Sequence, residues 1–223
     1  MSLSQHISEI NNLHKSLRQA LSRADDAQPA IRTFLDLHSQ LHSRQMAPDT
    51  PWSYEDFLLE GLEEAEYRQI PPGEEHSIAW ILWHLTRVED LTMNLLIAGG
   101  DQVFEREGWR AKIGSPIKHT GNGTGIEMAE AISSAVDIAA LRDYRVSVGI
   151  ATQGIVNTLT PEDFKRKVSP ENIQRILDEG GVIQEGMDVV VYWSRRDVAG
   201  LLLMPPTRHT LVHWNEARKL LKK

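Results

Sequence analysis

Apolar residues recur at three- and four-residue spacing through most of the chain, and the elements they predict are helices. Leu3, Ile7, Ile10, Leu13, Leu17 and Leu21 form the stripe of an amphipathic helix over residues 3–23. The polar run from Asp25 ends it, and Pro29 suits the first turn of a second helix, which carries Ile31, Phe34, Leu35, His38, Leu41 and His42 on one side. Pro48 and Pro51 mark a loop. Ser53 with Asp56 three positions on resembles a capping pair, opening a short helix through Phe57, Leu58 and Leu62. Ile70-Pro71-Pro72-Gly73 is a stop. After it Ile78, Ile81, His84, Leu85, Val88, Leu91, Thr92 and Leu95 make the strongest helical stripe in the chain, which ends at Gly99-Gly100.

Residues 101–125 read as a loop, and a single long helix is predicted from about Glu127 to Thr158. Thr160-Pro161-Glu162-Asp163 has the cap, proline and acidic first turn that open another short helix. Val189-Val190-Val191-Tyr192-Trp193 has strand-like composition, yet one isolated run cannot support a sheet. Pro205-Pro206 precedes the last helix, from Thr207 to about Leu221. The tally is four or five long helices with little strand, an all-α bundle. The connections at 100–126 and 160–204 are long enough to roof a cavity.

Composition narrows the chemistry. With 223 residues, 41% apolar and 25% charged, the chain has the makings of a full hydrophobic core. Its net charge of −7 argues against a nucleic-acid surface, and the one basic cluster, Arg218-Lys219 with Lys222-Lys223, reads as a cation-rich helix end. No apolar run is long enough for a membrane span, and the N-terminus lacks the pattern of a signal peptide, so a cytoplasmic location is expected. There is no cysteine, which removes disulfides, thiolate ligands and cysteine nucleophiles together. Any metal must therefore be held by His, Asp or Glu.

Two histidines four residues apart, His209 and His213, lie on one face of the last predicted helix, with Cβ atoms about 5–6 Å apart, close enough to grip one ion. His84 occupies the middle of the strongest apolar stripe, where leucine would pack better, so it needs a metal or a hydrogen bond to satisfy it. Three imidazoles would leave positions open, as catalytic metal sites do. Arg87, Glu89, Asp90 and, more weakly, Glu216 are groups that could orient such ligands. His38 and His42 form a competing pair with the same spacing. Packing or pocket lining is one reading of them, and an approach of His42 to the metal is another. Gly121-Asn122-Gly123-Thr124-Gly125 lacks the ending of a phosphate loop and reads as flexible. Neither a nucleophile elbow nor an H-E-x-x-H motif occurs.

The stretch from Pro72 to Asp90, with Trp80, Trp83, His84 and Arg87, resembles the second bundle helix of the DinB/YfiT-like superfamily. The upstream Trp52, Leu58, Gly61 and Leu62, and the late Arg208-His209-x-x-x-His213-Trp214-Asn215-Glu216, fit it too. The likeness covers roughly residues 28–105 and 127–220. It implies a four-helix bundle over 27–223 with an insertion at about 160–204 and residues 1–26 as an N-terminal helical extension. It further implies a divalent metal on His84, His209 and His213. Related proteins include transferases of low-molecular-weight thiols and a thiol-dependent isomerase. Thiol transfer to a small electrophile is thus the expected activity, with zinc or nickel, or else iron, as the ion and a homodimer as the assembly. Trp80, Trp83 and Trp214 could wall the pocket. A non-catalytic metal-binding or interaction protein and a metal-assisted hydrolase, with Glu216 or Glu89 as base, are the alternatives.

Overall fold

In the computed structural model, residues 1–23 and 25–222 are described, so Lys223 of the basic cluster lies outside the described residues. Among them the protein is all-helical, and the one strand-like feature is an isolated bridge between Lys167 and Asp197. Helix α1 spans Leu3–Leu21 and starts in a full capping box between Ser2 and Gln5. Helix α2 follows at Gln28–Leu41 with Pro29 in its first turn, as the spacing predicts. Ile10 and Leu17 of α1 are buried in the common core, and His14 Nε2 meets the Leu203 carbonyl at 2.9 Å. The N-terminal helix is thus docked on the bundle by its apolar face.

Two short helices, α3 (Tyr54–Leu59) and α4 (Glu64–Arg68), come next. Ser53 accepts from the Asp56 N–H as expected, a contact worth about 1 kcal/mol. The helix ends before Leu62, however, because Gly61 turns the chain at φ +76°.

Helix α5, Ile78–Asp90, is the axis of the fold, and it runs on through a π-helical stretch, Leu91–Ile97. All its residues are buried, charged ones included, because α4 and three later helices, Ile126–Ala135, Ile138–Asn157 and Thr210–Leu220, surround it. Charged side chains on such a helix must find partners inside the protein.

Several expectations are corrected beyond α5. Residues 101–125 hold two short helices, α6 (Val103–Arg106) and α7 (Trp109–Ile113). The long helix expected over 127–158 is two helices, α8 (Ile126–Ala135) and α9 (Ile138–Asn157). Val136 and Asp137 are extended between them, and the Asp137 carboxylate caps α9 at the Ala140 N–H. The opening at Thr160 yields only a 3-10 turn, Asp163–Lys165. The valine-rich run is helical: after α10 (Pro170–Asp178), it forms α11 (Met187–Ser194). With no neighbouring strand to pair with, the run buries Val190 and Trp193 at helical spacing and exposes Val191.

Helix α12 (Val198–Leu202) leads into a π-helical turn, Met204–His209, and then α13, Thr210–Leu220. Pro205 and Pro206 lie inside this turn rather than before it. Lacking N–H donors, they cannot make the regular α-helical bonds, which favours the wider winding. None of the described helices is long and apolar enough to cross a membrane.

Candidate metal centre

Helix α5 holds the loop after α7 by three successive carbonyls. Arg87 Nε and Nη2 donate to the Lys118 carbonyl at 2.9 and 2.8 Å, Trp83 Nε1 donates to that of His119 at 3.0 Å, and His84 Nδ1 to that of Thr120 at 2.8 Å. A carbonyl only accepts, so Nδ1 of His84 carries the proton and Nε2 presents its lone pair. His209, at the end of the π-helical turn, brings its Nε2 to 3.1 Å from that atom.

His213, one turn into α13, completes the group. Its Nδ1 donates to Glu216 Oε2 at 2.7 Å, which again leaves Nε2 as the ligand atom. Glu216 also takes a bond from His76 Nδ1 at 2.7 Å on Oε1. Burial pushes this carboxyl up, but the bonds from His213 and His76 outweigh it and bring it down to about 2. Trp80 stacks between His76 and His84, with ring centroids 3.6 and 4.7 Å away.

His84, His209 and His213 thus offer ligand atoms that all lie within 4.8 Å of one another, a group that could hold a metal ion. Burial, with His213 close by, holds His84 at about 3, and burial with His84 close by holds His209 well below its usual value. Both imidazoles are therefore neutral near pH 7, the form in which they ligate metal. The His213 side chain is partly buried, at 15% exposed.

The other residues singled out by the sequence lie elsewhere. Arg87 and Trp83 donate to the loop that orients His84. Arg87 also donates to Asp90, Tyr144 and Gln102, and Asp90 receives the Val103 and Phe104 N–H groups. Trp214 donates to the Leu41 carbonyl in the core, so Trp80 alone of the three tryptophans packs on a histidine of the group.

Glu89 is about 140° around the helix from His84, on a different flank. It binds His38 Nε2 at 2.8 Å and His42 Nε2 at 2.9 Å, and these three form a second, fully buried group that could hold a metal. His42 therefore does not join His84. Burial, with Arg145 close by, lowers His42 to about 3, while burial raises Glu89 and the two histidines more than offset that, leaving it well below the usual range.

His76 and Thr120 are the contributors that sequence reasoning missed. His76 precedes the start of α5 at Ile78, so helical spacing from His84 does not place it, and Thr120 acts through its backbone.

A cavity of about 200 Å³ adjoins the first group, lined by Val88, Asn122, Tyr192, Trp193, Met204 and His209. Asn122 of the first long connection and Tyr192 and Trp193 of the second are among its lining. The glycine-rich loop is packed rather than loose: Thr120 N–H bonds the Gly181 carbonyl at 2.9 Å, and Gly123 lies directly against the backbone of Glu185.

No curated protein is similar enough in sequence to count as a relative. A family model described as the DinB superfamily matches residues 49–183, more than half of the chain, and takes in His84, Arg87 and the clamped loop, while His209 and His213 lie beyond the match. The chain belongs to the DinB superfamily.

Proposed function

We propose that the protein is a metal-dependent transferase that joins a low-molecular-weight thiol to a small electrophile at His84, His209 and His213. The observation that carries this reading is the convergence of three imidazoles beside an apolar cavity lined by one of them, His209. A divalent ion held there would supply Lewis acidity, the chemistry that lets a thiol lose its proton near neutral pH. Zinc or nickel suits this all-imidazole ligand set, as does iron.

The chain's own residues do the positioning. Thr120 and Glu216 hold the Nδ1 protons of His84 and His213, so that both Nε2 atoms face the site. Val88, Tyr192, Trp193 and Met204 offer an apolar wall to the carbon skeleton of the electrophile. At about 200 Å³ the cavity is below the range of roughly 300–1,000 Å³ that holds drug-sized ligands, which favours a small substrate. In the reaction the thiolate sulfur bonds to the electrophilic carbon, the leaving group departs with its electron pair, and the thiol proton is released to solvent.

Hydrolysis is less well supported. Glu216 is engaged by two histidines and Glu89 belongs to the other group, so neither carboxylate is free to activate a water. A purely structural ion would not need the cavity at His209. A homodimer is the assembly we expect from the family resemblance.

The test is to incubate metal-loaded protein with small thiols and alkyl or aryl halides or epoxides, and to follow thioether formation by mass spectrometry. Transfer above the uncatalysed rate, lost in His213→Ala, is the expected result. Metal-loaded protein that accelerates none of these reactions would sink the reading.

A further inference from the structure

His38, His42 and Glu89 have no part in the proposed reaction, yet they form a fully buried cluster of titratable groups. Two histidines one turn apart on α2 and its C-cap face one carboxylate on α5. Each Nε2 addresses its own carboxylate oxygen, at 2.8 and 2.9 Å, and the side chains are 0%, 1% and 0% exposed. From α9, Thr152 Oγ1 donates to Glu89 Oε1 at 2.8 Å, and Arg145 Nη1 stands 4.0 Å from Oε2. Arg145 is itself paired with Glu55.

Two carboxylates, Glu89 and Glu55, share one guanidinium, Arg145, inside this buried cluster, and an excess of buried negative charge is costly without a compensating cation. Arg145 Nη1 is buried without a hydrogen-bond partner, 4.0 Å from Glu89 Oε2, so it does not itself close the pair.

We propose that His38, His42 and Glu89 hold a second divalent cation, distinct from the one at His84, His209 and His213. Two imidazoles and a carboxylate within 4.8 Å of one another make a ligand set suited to zinc or another imidazole-preferring divalent metal. The cation balances the buried charge and ties α2 to α5. Thr152 and Arg145 pack on the carboxylate, and none of these five side chains lines the cavity at His209. A site closed in this way has no place for substrate, so its role is to hold the bundle together.

The experiment is elemental mass spectrometry on full-length, untagged protein from zinc-supplemented cells, with circular dichroism to confirm folding. Wild type should carry about two equivalents of metal. A His84→Ala/His213→Ala variant, which leaves the second cluster untouched, should retain about one, and adding Glu89→Gln to it should remove that one. A folded His84→Ala/His213→Ala protein without metal overturns the proposal, even if Glu89→Gln fails to fold. Retention of the same metal after Glu89→Gln also overturns it. Loss of the triad's ion alone would count against the proposed function and leave the second site standing.

Discussion

His84 donates its Nδ1 proton to the Thr120 carbonyl at 2.8 Å, and that single bond decides which nitrogen of His84 faces His209 and His213. Arg87 and Trp83 hold the two preceding carbonyls, so three side chains of one helix fix the backbone that orients the histidine. The candidate site is built from this clamp outward.

Removing Arg87 should therefore loosen the site without touching it. Arg87→Met leaves Asp90 buried without its cation and the Lys118 carbonyl without its donors. Breaking a buried pair from one side costs about 3–5 kcal/mol. Denaturant unfolding should show a loss of that order, and metal affinity should fall with it. Unchanged stability would contradict the clamp.

Glu216→Gln should keep the shape of the side chain while losing the charge that His213 and His76 share. Groups that orient a ligating histidine typically contribute 10–100-fold in metal affinity. Competition with a chelator of known affinity should read a loss in that range. An unchanged dissociation constant would mean that Glu216 does not orient His213.

Gly123→Ala probes the contact that packs the two long connections together. At φ +77°, an added Cβ would stand 2.4 Å from the carbonyl carbon of Glu185. A rigid backbone atom cannot swing aside, so the loop must shift, at a cost of at least about 1–3 kcal/mol. Thermal unfolding should reveal a lower Tm, and metal binding should weaken because Thr120 lies three residues away. Gly154→Ala is the control, since nothing lies within 4 Å of its added Cβ.

Acid should destabilise the metal-free protein from an unusually high pH. His42 and His84 sit at about 3 when folded, against 6.5 for an unperturbed histidine, through burial with Arg145 beside the first and His213 beside the second. Between those values the unfolded chain binds more protons, so stability is full above about pH 6.5 and is lost as pH falls toward 3. Each histidine contributes a slope of roughly 1.4 kcal/mol per pH unit inside that window. Urea unfolding of metal-free protein at pH 7, 6 and 5 should give a steadily falling free energy. A flat profile would show that these imidazoles are not buried neutral.

Much of the fold was legible because helical burial leaves a local periodic trace. The stripes at Leu3–Leu21, Ile31–Leu41 and Ile78–Leu95 each correspond to an observed helix. Readings failed where local signals compete. The Glu127–Thr158 stripe spans a break at Val136–Asp137, because the apolar period continues through a corner where an aspartate caps the next helix. The run Val189–Trp193 has strand-like composition, but an isolated run cannot support a sheet, and among the described residues it is helical.

By itself the sequence determined the all-helical class, the absence of thiolate ligands, and the two spacings that matter most: four residues from His209 to His213 and four from His38 to His42. These are local, set by 3.6 residues per turn. Only the tertiary structure decided which histidines share a partner. His84 meets His209 across 125 residues, and Glu89 turns away from both toward His38 and His42. Spacing tells which face a side chain occupies, but not which neighbour that face meets. On a helix enclosed on every side, as Ile78–Ile97 is, five residues along the chain are enough to carry Glu89 into a different cluster from His84.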